Sequence, residues 1–197
     1  LVVLLTMDEG STVADLATPD NQAVFDEVEA ELLEHPEVQT VVSPLDGLEF
    51  TENLLSRTMD DPTDAEAFDP QASIAATMLD AALQEARATG DDASVAAREG
   101  DLAETTERIA PFVLDPDAER SFANPEWVDL LLHDNAGEIR KPLRSFFFDE
   151  QHAQMVVRLT GNASLEEEGR GAVAVKEAWA DKELDGASVV ITGAPVL

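Results

Sequence analysis

Cysteine is absent from this 197-residue chain, which excludes disulfide bonds and thiolate metal sites. Lysine is almost absent, since only Lys141, Lys176 and Lys182 occur, and 12 Lys and Arg face 42 Asp and Glu. The net charge of −30 leaves no basic patch to neutralise phosphates, so binding to nucleic acid or to an anionic membrane surface is not expected. No run of 18 apolar residues occurs, so no stretch of the chain is suited to crossing a bilayer.

Such an acidic excess is typical either of a disordered chain or of a folded protein with an acidic surface. The apolar content of 44% and the regular amphipathic spacing of the apolar residues argue against disorder. At about 1 M salt the Debye length falls to about 3 Å, which screens the repulsion between surface carboxylates. The composition resembles that of proteins from extreme halophiles, and it says nothing about activity.

A strand–helix–strand pattern opens the chain. Residues 1–7 are apolar on both alternating faces, which predicts a central strand with both sides covered. Thr18 is suited to the N-cap and Pro19 to the first turn of an amphipathic helix over residues 19–35. A second strand is predicted over residues 38–43. The helix is expected to bury Val24, Phe25, Val28 and Leu32, and the second strand to point Val38, Thr40 and Val42 to one face.

The same pattern recurs near the other end of the chain. A strand is predicted over residues 153–160, a helix over about 164–184 and a last strand over 188–193, after the turn residues Asp185-Gly186. Ser164 and Glu167 have the spacing of a capping box. The strand is expected to present Met155, Val157 and Leu159 on one face, and the helix to bury Leu165, Ala172, Val175 and Trp179. A further short strand is predicted at residues 145–148, with a hairpin turn at 149–152.

Two such units predict an α+β fold with a split β-α-β, ferredoxin-like (βαββαβ) sheet. The expected domains are a discontinuous ferredoxin-like subdomain of residues 1–49 and 136–197, and a helical insertion of residues 50–135. Within the insertion, Asp69-Pro70 is expected to begin a helix that ends near Gly90. Its expected apolar residues are Ile74, Met78, Leu79 and Leu83.

The remainder of the insertion is predicted to alternate between weak helix and loop. Residues 90–100 are predicted to form a loop or a frayed helix, and residues 102–109 a weak helix. Asn124-Pro125 is expected to begin a short helix, which Gly137 ends.

The histidines His35, His133 and His152 are not spaced as metal ligands, and a surface position is expected for each. The acidic pairs Asp60-Asp61 and Asp91-Asp92 could hold a hard cation, but no calcium-loop pattern surrounds them. A structural calcium site is therefore the less favoured alternative, and no metal or cofactor is predicted.

No catalytic residue stands out either. Ser43 and Ser164 form no nucleophile elbow with the histidines. The pattern Gly169-x-Gly171 lies inside a predicted helix and lacks the rest of a phosphate-binding fingerprint. Arg140 and Arg158 are expected to pair with nearby carboxylates rather than with a ligand. The chain is therefore not expected to be an enzyme.

The stretch TPDNQAVFDEVEAELLEHPEVQTVVSPLD resembles the first extracytoplasmic segment of RND-superfamily exporters, in particular the MMPL-like branch. Those segments contain a strand, a helix and a P-x-V-x-x-V-x-S pattern, represented here by Pro36, Val38, Val41 and Ser43. The later stretches AQMVVRL and VVITGAP are similar to the end of that segment. The chain also starts without Met and inside a predicted buried strand, and we expect it to be part of a longer protein.

The resemblance implies a porter domain between transmembrane helices 1 and 2 of a secondary transporter, on the extracytoplasmic side of the cell membrane. The ion-coupling carboxylates of such transporters lie in the membrane helices, so it implies no functional residue here. The implied partners are the remaining transmembrane and second extracytoplasmic domains, a hydrophobic or lipid-like substrate and a homo-oligomer. A ferredoxin-like sensor domain that binds a small ligand is the alternative, and a halophilic enzyme is less favoured.

Overall fold

The chain folds into two compact units, Leu1–Gly47 with Ile139–Leu197 and Leu48–Glu138. Sequence reasoning places the corresponding boundaries after residues 49 and 135. The computed structural model describes residues 1–56, 73–90, 92–115, 118–161 and 164–193.

The first unit contains a single antiparallel sheet. Its five strands are β1 (Val2–Met7), β2 (Val38–Val42), β3 (Phe147–Asp149), β4 (His152–Leu159) and β5 (Ala187–Thr192). The strand order is β2-β4-β1-β5, and β3 pairs with β4 beside this path. The helices α1 (Pro19–Leu33) and α6 (Leu165–Ala178) belong to the same unit. The chain is therefore an α+β protein, and β1 occupies the central position that its apolar sequence predicts.

The two faces of the sheet differ in burial. Val3 and Leu5 of β1 and Met155 of β4 are fully buried together with the apolar stripes of α1 and α6. Val2 and Leu4 point to the opposite face and are only half-buried. The prediction that both faces of β1 are covered is therefore correct for one face and wrong for the other. Apolar residues on a second face do not by themselves provide a layer that covers them.

The first helix follows its sequence signals closely. It begins at Pro19, and Phe25, Val28 and Leu32 are buried, whereas Val24 is half-buried. Thr18 occupies the N-cap position with extended backbone angles, but its side chain caps no backbone N–H. The predicted N-cap position of Thr18 is confirmed, but Thr18 does not make the side-chain hydrogen bond that usually accompanies it.

The facing of β2 differs from the prediction. Val38 and Val41 are buried, Thr40 is exposed and Val42 is half-buried. The pairing of β2 with β4 shifts register between Val38 and Thr40. Because one extra residue in a strand turns every later side chain to the other face, this irregularity separates Val38 from the face it was predicted to share with Thr40 and Val42.

The predicted capping box of α6 is confirmed, but α6 is shorter than predicted. Ser164 accepts a hydrogen bond from the N–H of Glu167, whose carboxylate accepts one from the N–H of Ser164. Leu165 is 64% exposed, so its predicted burial is wrong, because its position in the first turn lies away from the core. The helix ends at Ala178, well before residue 184. The predicted buried residues Ala172, Val175 and Trp179 are confirmed.

The predicted hairpin and last strand are present, but their ends are shifted. The extra strand begins at Phe147 rather than at residue 145, β4 begins at His152 inside the predicted turn, and Leu159 is only half-buried. β3 and β4 pair antiparallel across a turn after Asp149, and Met155 and Val157 are buried on one face. Gly186 has φ +74°, as required in the turn that Asp185-Gly186 predicts.

Among the described residues between β2 and β3 in sequence are four further α-helices: α2 (Pro44–Ser56), α3 (Ile74–Thr89), α4 (Asp92–Leu114) and α5 (Pro125–Leu132). The sequence analysis predicts no helix directly after the second strand, whereas Pro44 begins α2. Ser43 and Asp46 exchange hydrogen bonds at this helix start, since Asp46 Oδ2 accepts from the backbone N–H of Ser43 at 2.6 Å and Asp46 N donates to Ser43 Oγ at 3.3 Å.

The structures of α3 and α4 differ in part from the helices and loop predicted for residues 69–109. Gly90 ends α3 in the left-handed conformation, as expected, but Met78 is 65% exposed while Leu83 is buried. The predicted start at Asp69-Pro70 lies outside the described residues. Residues 92–114 form one continuous helix rather than a loop and a weak helix, with Gly100 inside it.

The helix α5 begins at Pro125 with Asn124 as its cap, as predicted, but it ends at Leu132 and not at Gly137. Among all helices in the described ranges, none has both the length and the apolar content required to cross a bilayer.

Candidate functional site

A cleft of about 520 Å³ lies in the first unit between α6, the segment after it and the edge strand β5. Ala187, Val189 and Ile191 of β5 line it. These residues pair with Met7, Leu5 and Val3 of β1, and directly paired residues point to the same face of a sheet. The floor of the cleft is therefore the helix-facing side of β5, where it is apolar and where Val189 and Ile191 are only half-buried.

An aromatic side chain forms one wall of the cleft. Trp179 is 5% exposed and contacts Phe25 of α1 edge to face, with ring centroids 6.0 Å apart and planes at 81°. Its Nε1 finds no hydrogen-bond acceptor within the described residues. Leu184, which is buried, completes the apolar wall.

A buried asparagine of α1 holds Asp185, which lies between the cleft residues Leu184 and Ala187 in sequence. The Asn21 side chain donates to the carbonyls of Asp15 and Asp185 at 2.9 and 3.1 Å, and its Oδ1 accepts from the N–H of Asp185 at 2.8 Å. Asn21 is 1% exposed, so these bonds satisfy a polar group that would otherwise be costly to bury. Sequence reasoning missed this residue. The available signal was its place one turn before Phe25 on the buried stripe of α1.

Charged side chains line the cleft as well. They are Lys176 on α6 and Lys182 and Glu183 after it. The ammonium of Lys182 lies 2.5 Å from Glu27 Oε1 of α1, and its side chain is 20% exposed. Lys176 is exposed and forms no ion pair with any residue that the structure describes. Two of the chain's three lysines therefore line a single cleft.

A second charged cluster joins the start of β2 to α6. Arg170 donates from Nε to Glu37 Oε1 at 2.7 Å, its Nη2 lies 2.6 Å from the same oxygen, and its Nη1 lies 3.4 Å from Glu166 Oε1. The hydrogen bond to Glu37 is the main cause of the raised pKa of Arg170. Glu37 is 8% exposed, so the guanidinium compensates a carboxylate that burial would otherwise penalise.

His35 approaches the same carboxylate without completing the cluster. Its Nδ1 lies 3.2 Å from Glu37 Oε2, but neither atom makes a hydrogen bond with the described residues, because the approach is not aligned for one. We read this group as a structural ion pair, since Arg170 and Glu37 hold each other rather than facing a cavity.

The other two histidines also lie beside carboxylates. His152 is half-exposed, and its Nδ1 lies 2.8 Å from Asp149 Oδ1. The lowered pKa of Asp149 arises mainly from the N–H of Gln151 and next from His152. The side chain of His133 is only 13% exposed, so the surface prediction is wrong for it. The reason is local: His133 follows directly after α5, and its Nδ1 lies 2.7 Å from Asp129 Oδ1 one turn earlier.

No metal centre emerges from these groups. In the part of the chain that the structure describes, no three His, Asp or Glu side chains lie close enough together to hold an ion. Asp60, Asp61 and Asp91 fall outside the described residues, and Asp92 begins α4. The predicted calcium alternative is therefore tested at neither pair.

The two serines selected from the sequence cap helices, and Arg158 does not form the ion pair predicted for it with any described residue. Ser43 and Ser164 cap α2 and α6. Arg158 is exposed and pairs with no carboxylate among the described residues, whereas Arg87, Arg108 and Arg170 do form such pairs. Gly169 and Gly171 lie inside α6, as predicted.

Comparisons of the chain with protein families, with curated proteins and with solved structures find no match.

Proposed function

We propose that this chain is the extracytoplasmic porter domain between transmembrane helices 1 and 2 of an RND-type, MMPL-like exporter from a halophilic archaeon. In this role it is non-catalytic and shapes the path of the substrate outside the membrane. The observation that carries the proposal is the strand order β2-β4-β1-β5 together with the connections. In sequence, α1 connects β1 to β2, and α6 connects β4 to β5. This order supports the ferredoxin-like, βαββαβ arrangement that the sequence resemblance implies.

The insertion supports the same assignment. The second compact unit, Leu48–Glu138, is mainly helical and interrupts the sheet-bearing unit between β2 and β3. A porter subdomain with a helical insertion at this point would have the same order of elements. The unit also contains a buried aromatic pair, Phe112 and Trp127, with ring centroids 4.9 Å apart, so it has a core of its own.

The second face of the sheet offers a surface for the implied partner domain. Val42, Val156 and Val2 follow one another across the paired strands and are half-buried, and Val190 beside Leu4 is 56% exposed. An apolar row of this kind fits packing against the second extracytoplasmic domain of the same transporter. Porter domains that rock as near-rigid bodies require such a packed surface.

Cysteine labelling tests the proposed location, because the chain has no cysteine of its own. Leu165 is 64% exposed and Val175 is fully buried on the same helix. A membrane-impermeant maleimide added to intact cells should label Leu165→Cys in the full-length protein and should label Val175→Cys only after denaturation. Labelling of Leu165→Cys that requires cell lysis would place the domain on the cytoplasmic side and overturn the proposal.

The coding sequence around this stretch provides a second test. We expect transmembrane helices directly before and after it, as in transporters whose extracytoplasmic domains are inserted between membrane helices. A reading frame without such helices would exclude the transporter assignment and leave the fold unaffected.

A ligand-binding sensor is the second candidate, and the cleft at β5 is the observation that favours it. A sensor of this fold would bind its effector at a dimer interface, and the cleft lies at the edge strand β5, where a second copy of the chain could pack over it. Light scattering of the 197-residue chain distinguishes the two candidates. A dimer that forms only with effector supports the sensor, and a monomer that binds ligand does not.

A further inference from the structure

The cleft between α6 and β5 combines features that do not follow from the composition of the chain. A chain with net charge −30 and three lysines has two of those lysines in its lining, above an apolar floor. Random placement of so few lysines among so many carboxylates would favour a cleft lined by acidic groups. The lining instead contains two lysines and one carboxylate, Glu183, so its charge departs from the acidic excess of the chain.

We propose that this cleft binds an anionic amphiphile, with a carboxylate or similar anion at Lys176 and Lys182 and an apolar body against Val189 and Ile191. The apolar wall continues along Trp179 and Leu184, both of which are at least nine-tenths buried. The volume of about 520 Å³ lies within the roughly 300–1,000 Å³ that small-molecule sites occupy.

The two lysines have different parts in the proposed site. Lys182 is held in place by its ion pair with Glu27 and keeps a fifth of its side chain exposed. Lys176 has no carboxylate partner among the described residues, so its ammonium is available to an incoming anion. A third charge, Glu183, lines the cleft as well, which favours one anionic head group over a multiply charged one.

The salt concentration determines whether the two lysines can attract an anion to the cleft. At low ionic strength the field of the many carboxylates repels any anion that approaches the protein. At about 1 M salt the Debye length is about 3 Å, so that field is screened and only contacts inside the cleft remain. The site is therefore suited to the high-salt conditions that the composition favours. The inference concerns the cleft alone and holds whether the domain belongs to a transporter or to a sensor.

Octanoate is the probe, and three related compounds separate its features. Octan-1-ol has the same chain without charge, octyltrimethylammonium has the opposite charge, and acetate has the head group alone. A protein with net charge −30 should prefer the cation, whereas the cleft should prefer octanoate. In about 1 M KCl, octanoate should bind about fivefold more tightly than octan-1-ol, and acetate should not bind measurably.

The two tryptophans provide the readout in the whole 197-residue chain. Trp179 lines the cleft, whereas Trp127 lies in the other unit and donates to Glu52 at 3.3 Å. In a proton–nitrogen correlation spectrum, octanoate should shift the indole signal of Trp179 and leave that of Trp127 in place. A Trp127→Phe variant assigns the two signals.

Matched substitutions locate the binding. Lys176→Gln should weaken octanoate binding about fivefold, the effect of losing an exposed ion pair, whereas Lys141→Gln removes the one lysine outside the cleft and should change nothing. Ala180→Phe should fill the cleft and abolish the shift. Val173→Phe, at a position on α6 that is 51% exposed and outside the lining, is its control.

The proposal would be overturned by a Trp179 signal that octanoate does not move, by equal affinity for octan-1-ol and octanoate, or by equal effects of Lys176→Gln and Lys141→Gln. Loss of binding in Ala180→Phe counts only if its thermal midpoint equals that of Val173→Phe. Binding that survives Ala180→Phe would place octanoate elsewhere and would also contradict the proposal.

Discussion

Gly171 of α6 lies so close to Leu159 of β4 that a Cβ atom on it would be 2.6 Å from Leu159 Cδ2 and 3.0 Å from Cδ1. Gly169, one half-turn earlier in the same helix, has no atom within 4 Å of the corresponding position. Each glycine costs roughly 1 kcal/mol of helix stability relative to alanine. The close approach to β4 gives a packing reason for Gly171, and nothing in the structure explains Gly169.

Alanine substitutions at the two glycines should therefore differ. Gly169→Ala should raise the free energy of unfolding by about 1 kcal/mol, because helix propensity improves in open space. Gly171→Ala gains the same propensity but must displace the end of the Leu159 side chain, so it should stabilise by about 1 kcal/mol less. Chemical denaturation of both variants measures this difference, and equal stabilisation would show that Leu159 moves away without cost.

The ion pair of Glu37 and Arg170 should matter more to stability than its neighbour. Arg170→Gln leaves the carboxylate of Glu37, which is 8% exposed, without its cation and without the hydrogen bond from Arg170 Nε to Oε1. Glu166→Gln removes only a 3.4 Å contact of a side chain that is 87% exposed. The thermal midpoint should fall clearly in Arg170→Gln and hardly in Glu166→Gln. Similar midpoints in both variants would mean that the Glu37 carboxylate is adequately solvated in the fold.

Local sequence signals predict the parts of this fold that depend on neighbouring residues. Pro19 begins α1, Ser164 and Glu167 form a capping box, and Asn124-Pro125 begins α5, because each signal acts through backbone groups a few residues away. The register shift after Val38 depends on how β2 pairs with a strand distant in sequence, and no local pattern indicates it.

The candidate site was even less accessible to sequence reasoning. Lys176 and Lys182 lie on a helix and on the segment after it, and only the position of β5 makes them walls of one cleft. The polar role of Asn21 likewise depends on Asp185, which is 164 positions away in the chain. Motif searches find neither, because the groups come together only through tertiary packing.

Salt should control the stability of the whole chain. At about 0.1 M salt the Debye length is about 10 Å, so carboxylates within that distance repel one another, whereas about 1 M salt screens them. With a net charge of −30, the far-ultraviolet circular dichroism of the chain should lose much of its helical signal when KCl is lowered from about 1 M to about 0.1 M.

Sucrose is the control for that experiment, because it stabilises compact states without screening charge. It should restore less structure at low salt than KCl does. A spectrum that stays unchanged at about 0.1 M would contradict adaptation of the surface to high salt.

The capping box of α6 makes a pH-dependent contribution to stability. The carboxylate of Glu167 accepts a hydrogen bond from the N–H of Ser164 at 2.6 Å, and this bond, followed by that of the Ser164 side chain, lowers the pKa of Glu167 below its usual value of 4.5. Because the folded state binds the proton less tightly than the unfolded chain, the contribution is complete above about pH 4.5. It is lost as the pH falls through the lower value of the folded state.

Glu167→Ala should therefore lower the thermal midpoint at pH 7 and have a progressively smaller effect as the pH falls below about 4.5. Glu168→Ala is the matched control, since Glu168 lies in the same first turn but its side chain makes no hydrogen bond with the described residues. It should change the midpoint less at neutral pH. An effect of Glu167→Ala that keeps its size from pH 7 down to about pH 3 would show that the lost bond does not depend on the charge of the carboxylate.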